Sequence, residues 1–428
     1  MQQKKVTTSK RIGKLKTQLD SIKFEQLELL CGGRGHLISE RISDLPHSIF
    51  SKFIGLKGKK IISLGPGEPD FDTPKHIVVA AKKALDEGYT HYGPTLGYPD
   101  LLEEIAKKVK KKNNIVVDDP HSQICVTAGS TESLLFSMLT SFDVTESVLV
   151  PDPGFATYGP TLEMIDTEPT YYHLHEYNGF QPDIDEIKKL IKPKTKGIII
   201  NTPANPTGSV FTRKILEEIA DIAVEYNLTI ISDEAYEDLV YDGKKHISIA
   251  SFNGMQDYVL SNFTFSKSYA MAGFRIGYVV GNEKSIKQMS KIHLYTSVSA
   301  ASVSQRAALA ALKGPQKCIE DMRKEYDRRR KMIVERINHI KGFELNFTPE
   351  GAFYVFPKIR FDEIKGYPQD KMSSEYFSLW LFDKIKVITI PGIEFGDSGE
   401  GFVRLSYATN YNLIEKALDR MENLMGTK

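Results

Sequence analysis

The chain has 428 residues, more than one ordinary hydrophobic core holds, so two domains are expected. Its 56 Lys and Arg nearly balance its 55 Asp and Glu, and a net charge of +1 gives no reason to expect nucleic acid or a membrane as the main partner. Three widely spaced cysteines, Cys31, Cys125 and Cys318, argue against a disulfide framework or a cysteine metal site and fit a reducing cytoplasm; no apolar run is long enough to span a bilayer.

Residues 1–35 are basic, through Lys4, Lys5, Lys10, Arg11, Lys14, Lys16 and Lys23. Ile12, Leu15, Leu19, Ile22 and Leu30 fall near helical spacing, while Asp20, Glu25 and Glu28 are unlike a targeting peptide, so this stretch reads as a flexible or surface-docked extension. From Ile61, IISLGPGEPDFDTP predicts a short strand and a rigid loop, then a helix from about Pro74 with Asp72 and Thr73 as candidate caps. The aromatic turn YTHYGPTLGYPD, of a kind common in packing and interfaces, leads into an amphipathic helix over 101–112.

Strands are then predicted over 123–127, 147–151, 170–174, 196–201 and 228–232, separated mostly by helical patterns. The stretch SNFTFSKSYAMAGFRIGYVVG ends one strand (258–265) at Ser266 and Lys267, turns at Gly273 and starts another (276–280). This alternation predicts an α/β fold with a mainly parallel sheet covered on both faces. Beyond Ala300 come helices over 301–312 and 316–340, strands over 352–357, 387–390 and 402–405, and a helix from about Tyr411; the RKEYDRRRK run is expected to be a solvated helix face. The expected layout is the extension to residue 35, an interdomain segment with the start of a small domain over 36–75, a large domain over 76–314, and the rest of the small domain over 315–428.

Several polar residues stand where open α/β sheets put their chemistry, at strand ends and turns. Lys267 lies between hydroxyls and eight residues before Arg275; Asp233 follows the LTIIS strand; Asn205 sits in NTPANPTGSVF. Ala128, Gly129 and Ser130 join a strand to a helix, where backbone N–H groups can take an anion. Arg404 interrupts an apolar strand, a costly placement without a partner. Taken singly, each has a structural alternative: a solvated lysine, a helix N-cap, an ordinary turn, a buried ion pair.

Together these segments resemble the class I and II aminotransferases, pyridoxal-phosphate enzymes of fold type I. Ser266, Lys267, Ala270, Met271, Gly273, Arg275, Ile276 and Gly277 fit the family's lysine motif, with Thr264 a mild departure, and matches extend from Ile61 to about Ala408. The nearest resemblance is to archaeal and bacterial aspartate and aromatic aminotransferases. It implies a mostly parallel seven-stranded sheet in a large domain, a smaller α+β domain, and pyridoxal 5′-phosphate carried by Lys267, which also serves as general base at the substrate Cα.

By the same resemblance Asp233 pairs with the pyridine nitrogen, Tyr236 and Asn205 bond the ring oxygen, and Phe155 stacks on the ring. Ala128, Gly129, Ser130, Ser266 and Arg275 hold the phosphate. Arg404 and the amide near Gly67 bind the substrate carboxylate, and Tyr92 reaches the cofactor of a second subunit, implying a homodimer. Several aspartate-specific relatives carry a lysine at the position matched by Ser130. The short neutral hydroxyl here therefore points to aromatic or broad amino donors with 2-oxoglutarate as acceptor, unless another cation such as Lys14 or Arg34 replaces that lysine. Strict aspartate specificity, a lyase of the same fold and a non-catalytic cofactor-binding module remain open.

Overall fold

A computed structural model describes residues 39–43, 45 and 60–428. Contacts divide the chain into Met1–His47 and Ser48–Lys428. Of the first unit the described residues include one helical turn, Glu40–Ser43. The expected basic extension over 1–35, with Lys14 and Arg34, lies outside the described residues, as does most of 36–59.

At the centre of the second unit is a seven-stranded sheet. The strands are β1 (Ile124–Thr127), β2 (Ser147–Asp152), β3 (Glu168–His173), β4 (Thr195–Asn201), β5 (Thr229–Asp233), β6 (Val259–Thr264) and β7 (Gly277–Val280), in the spatial order β1-β7-β6-β5-β4-β2-β3. Only β7 runs antiparallel to its neighbours; the pairs from β6 to β3 are all parallel. Alternate side chains face opposite layers, as the two-residue period of a strand requires. Ile124, Leu149, Ile198, Ile200 and Ile230 pack into one core with α1 (Lys75–Asp86), α2 (Pro99–Asn113), α4 (Arg213–Tyr226) and α6 (Ser302–Lys313). Their neighbours Cys125, Val148, Val150, Ile199 and Ile231 meet α3 (Ser130–Ser141) or α5 (Glu283–Thr296) on the other side. Burial on both faces is why these strands read as continuous apolar runs.

A second core gathers Ile62 and Leu64 with α7 (Lys317–His339), α8 (Ser374–Ile385) and α9 (Tyr411–Met425). Ile62–Ser63 pairs in parallel with Val387–Ile388. An antiparallel trio, β8 (Tyr354–Val355), β10 (Val403–Ser406) and β9 (Ile390–Pro391), has β10 in the middle and so carries Arg404 into the interior.

Two local expectations are corrected. The helix α1 is capped by Pro74 without a side-chain bond, and the Thr73 hydroxyl instead donates to the Ala270 carbonyl at 2.6 Å. The RKEYDRRRK run is not all solvated face: Arg329 and Arg330 are buried. Arg329 pairs with Asp70 and Glu325, and Arg330 with Asp242 and Asp327. The Arg329–Asp70 bond (2.7 Å) ties α7 to the Gly- and Pro-rich loop.

A buried polar knot lies beside the segment after β5. Glu237 accepts from Lys108 on α2 and from Asn113 Nδ2 (2.7 Å), with Lys112 at 3.7 Å. Burial would raise the Glu237 pKa, but Lys108 and Lys112 outweigh it and bring the carboxyl down to about 2. A depressed carboxyl stabilises the fold above its unfolded pKa, and that contribution is lost as pH falls from about 4.5 through about 2. Glu237→Gln strands the Lys108 charge and is expected to cost about 3 to 5 kcal/mol at pH 7. In thermal melts the gap to the unsubstituted protein narrows as pH drops through that window; a gap that stays constant contradicts the assignment.

Candidate active site

The C-terminal ends of the parallel strands carry expected site residues. Asp233 is the last residue of β5 and Asn201 the last of β4, while β6 delivers Ser266 and Lys267 in a short helical turn, Phe265–Ser268. Thr264 caps that turn: it accepts from the Ser266 amide at 3.1 Å and donates to the Ser266 hydroxyl at 2.9 Å.

Lys267 Nζ donates to the Gly67 carbonyl of the Gly- and Pro-rich loop. Its ammonium also lies 5.9 Å from the Tyr236 ring centre and 5.8 Å from that of Phe353. Burial, helped by the Arg404 and Arg275 charges, lowers its pKa to about 8 against the opposite pull of Glu68 and Asp233. Asp233 moves the other way. Burial raises it to about 6, although the Tyr158 hydroxyl (2.6 Å) and the Ala235 amide (3.2 Å) both donate to it.

Arg404 is 3% exposed. Its Nη1 donates to Asn205 Oδ1 at 2.8 Å and its Nη2 to the Gly65 carbonyl, while the guanidinium lies over the rings of Tyr354 (4.5 Å) and Phe395 (4.7 Å). Asn205 is held from behind, its amide donating to Asn201 Oδ1 at 2.8 Å, and Asn201 Nδ2 donates to the Asp233 carbonyl at 3.0 Å. Tyr236 and Tyr354 share a hydrogen bond between their hydroxyls at 2.8 Å.

Gly129 precedes the first residue of α3, Ser130, with φ +87°. A Cβ there would stand 2.5 Å from Arg275 Nη2, so only glycine lets the guanidinium lie against this backbone. Arg275 itself is anchored by the Ala272 carbonyl at 3.0 Å. The first amides of a helix lack intrahelical partners, and a phosphate beside an arginine suits them. The Ala128 amide, one of the expected cradle donors, is already taken by Glu132 Oε2 at 2.6 Å, and Glu132 Oε1 accepts from Ser297 at 2.9 Å.

The structure thus joins Lys267 to Gly67, Asn205 to Arg404, and Arg275 to Gly129. Phe155 is half-buried, edge-on to Tyr158 at 5.6 Å. Tyr92 is 84% exposed and edges an open groove shared with His91, Ser297 and Ser302. Sequence reasoning missed Tyr158, Asn201 and Tyr354, which hold Asp233, Asn205 and Tyr236. Each does stand near a residue or in a segment already singled out: Tyr158 three residues past Phe155, Asn201 in NTPANPTGSVF, and Tyr354 in the strand predicted over 352–357.

Residues 59–421 match the family described as Aminotransferase class I and II. The chain belongs to this family. It is 45% identical to an aspartate aminotransferase of Pyrococcus abyssi over 372 residues, 86% of this chain and 93% of that protein. It is 43% identical to aromatic-amino-acid aminotransferase 2 of Thermococcus litoralis, over 89% of this chain and 95% of that one. The crystal structure of an aromatic aminotransferase from Pyrococcus horikoshii OT3 superposes with a TM-score of 0.80 at 42% identity, covering 87% and 97% of the two chains. Class I and II aminotransferases act on amino acids and 2-oxo acids and generally use pyridoxal phosphate. As an aminotransferase this chain has the expected α/β fold with its mostly parallel sheet, and no described helix is long and apolar enough to cross a membrane.

The lowered lysine pKa has a direct consequence. In cofactor-free protein, labelling of Lys267 by an amine-directed reagent is expected to rise with pH to half-maximum near about 8, because only the neutral amine reacts. Arg404→Gln, which removes a nearby cation, moves that midpoint upward. A midpoint at the ordinary lysine value of 10.5 contradicts the buried setting.

Proposed function

We propose that this aminotransferase carries pyridoxal 5′-phosphate on Lys267 and moves an amino group between an aromatic or broadly chosen α-amino acid and a 2-oxo acid such as 2-oxoglutarate. The observation that carries this is half-buried Lys267, its Nζ donating to the Gly67 carbonyl, in the fields of buried Asp233 and Arg404. The residues fit the group. Gly129 and Arg275 form a cradle that a Cβ would fill, and Asp233 is a buried carboxylate suited to a protonated ring nitrogen.

Asp233 would pair with that nitrogen, a cation that would lower its pKa from about 6. Asn205 and Tyr236 would bond the ring oxygen and Phe155 would cover the ring. Ser130, Ser266 and Arg275 would hold the phosphate beside Gly129, and the amide engaged by Glu132 makes Ala128 the weakest member of that set. The bound cofactor supplies an electron-poor ring that takes up the electron pair released at the substrate Cα. Arg404 grips the α-carboxylate with its forked donors, and Gly67 offers backbone beside it. Neutral Lys267 would be the base that takes the proton from the substrate Cα and holds it at Nζ to be given back.

Exposed Tyr92, on a groove whose Ser297 also bonds Glu132 beside the cradle, supports a homodimer in which each subunit lends this tyrosine to its partner. Two lobes are proposed, one over 76–314 and one over 315–428 with the strand Ile62–Ser63. Replacing Asp233 by Ala is expected to slow turnover by about two to four decades, the equivalent of an uncompensated buried partner. A loss below about tenfold leaves Asp233 as no more than a structural carboxylate.

For the amino donor, Ser130 offers no charge to a distal carboxylate, and a desolvated carboxylate without a cation is unfavourable by roughly several kcal/mol. Tyr354, Tyr236, Phe353 and Phe395 instead give the pocket aromatic walls. The aspartate aminotransferase at 45% identity keeps aspartate as the second reading. Single-turnover rates with tyrosine, phenylalanine, aspartate and alanine separate the two. Aromatic donors are expected to match or exceed aspartate, and aspartate faster by about a hundredfold overturns the aromatic reading.

A further inference from the structure

Asp152 closes β2 and is 2% exposed. Both of its carboxylate oxygens accept from one amide, Ser398 N–H, at 3.1 Å each. Burial pushes this carboxyl up, so its place is costly and needs a reason. Gly396, two residues before Ser398, has φ +117°, and a Cβ on it would stand 2.1 Å from Asp152 Oδ1; the turn is folded tightly over the carboxylate. Two residues past Asp152, the Gly154 amide donates to the Phe395 carbonyl at 2.8 Å. The end of β2 therefore grips the Phe395–Ser398 turn at two points. Buried Phe395 turns its ring to the Arg404 guanidinium, 4.7 Å away, and packs edge-on against Phe356.

We propose that Asp152 is a positioning residue for Arg404: by fixing the Gly396–Ser398 turn it sets Phe395 against the guanidinium and so aims the fork at the substrate carboxylate. Asp152 touches neither the substrate nor the cofactor. It acts through the ring of Phe395, because a guanidinium stacked on an aromatic face keeps its plane, and a bidentate grip needs that plane. The inference rests on Arg404 being the carboxylate binder. It also separates Asp152 from Phe155, three residues on in the same segment, which the proposed function sets against the cofactor ring.

The test uses the pyridoxal-phosphate-loaded enzyme with Asp152→Ala, Phe395→Leu, their double variant, Asp152→Asn and Arg404→Lys. Asp152→Ala is expected to raise KM about tenfold for the amino donor and for the 2-oxo acid alike, since both present an α-carboxylate, with kcat within about twofold. Binding of a 2-methyl amino acid, which has no Cα–H to lose, weakens by the same factor in an absorbance titration. The affinity of the apoprotein for pyridoxal phosphate does not change. Phe395→Leu gives the same pattern, the double variant is no worse than either single, and Asp152→Asn, which keeps an acceptor for Ser398, recovers most of the loss.

Unchanged KM in Asp152→Ala while Arg404→Lys raises it overturns the inference and leaves the reading of Arg404 standing. Additive losses in the double variant, or weakened cofactor binding in Asp152→Ala, also overturn it, the latter by routing the effect through Phe155. If Arg404→Lys leaves KM unchanged, the reading of Arg404 fails first. Should Asp152→Ala not fold, Asp152→Ser, whose hydroxyl is too short to reach the Ser398 amide, takes its place beside Phe395→Leu, alone and combined.

Discussion

The structure depends on holding three charged groups near one another, Asp233 and Arg404 buried and Lys267 half-buried. Lys267, Asp233 and Arg404 come from three different elements, and withdrawing each from solvent costs about several kcal/mol unless partners compensate. The compensation is local and specific: Tyr158 and the Ala235 amide on Asp233, the Asn205 side chain and the Gly65 carbonyl on Arg404, the Gly67 carbonyl on Lys267. What remains uncompensated shows as perturbed acidity, a carboxyl raised to about 6 facing a lysine lowered to about 8. The lowered lysine is the group suited to take up a proton near neutral pH, and the raised carboxyl the one suited to a cationic partner.

The scaffold serves that constraint. A parallel sheet buried on both faces brings β4, β5 and β6 to one edge with their C-terminal residues together, so Asn201, Asp233 and Lys267 need only short side chains or one turn to converge. The second core supplies Arg404 from the middle strand of a small antiparallel sheet. Two further part-buried contacts each involve a charged group, Arg329 to Asp70 and Asp152 to the Ser398 amide. They hold the loops on which the pocket is built, the first near Gly65 and Gly67, the second at Phe395.

The sheet was legible because burial on both faces leaves only apolar, β-branched runs. All seven strands stand within about two residues of where periodicity and turn residues put them, the usual margin for element ends. Arg404 was legible because it breaks an apolar strand where such a break is expensive, and Lys267 and Asp233 because they stand at strand ends in segments that resemble the family's motifs. Their supporting partners were not. Tyr158 bonds a residue 75 positions away, and Tyr354 meets Tyr236 across 118, so no local pattern marks them. The same holds for Arg329 and Arg330, whose sequence is that of a solvated helix face until distant Asp70 and Asp242 are brought against them. Capping of α1 failed because Pro74 takes the N-cap position, which leaves Thr73 one residue outside it, its hydroxyl donating to the Ala270 carbonyl. Nothing in the sequence marks Asp152, whose carboxylate meets the Ser398 amide 246 positions away.

The central claim is that Lys267, and no other of the chain's lysines, carries the cofactor. Incubating the protein with pyridoxal phosphate, reducing with borohydride and mapping the labelled peptide tests this without reference to any substrate. The expected result is label on Lys267 alone, abolished by prior Lys267→Ala substitution. Label retained in that variant at comparable stoichiometry, or spread over surface lysines with Lys267 unmodified, contradicts it.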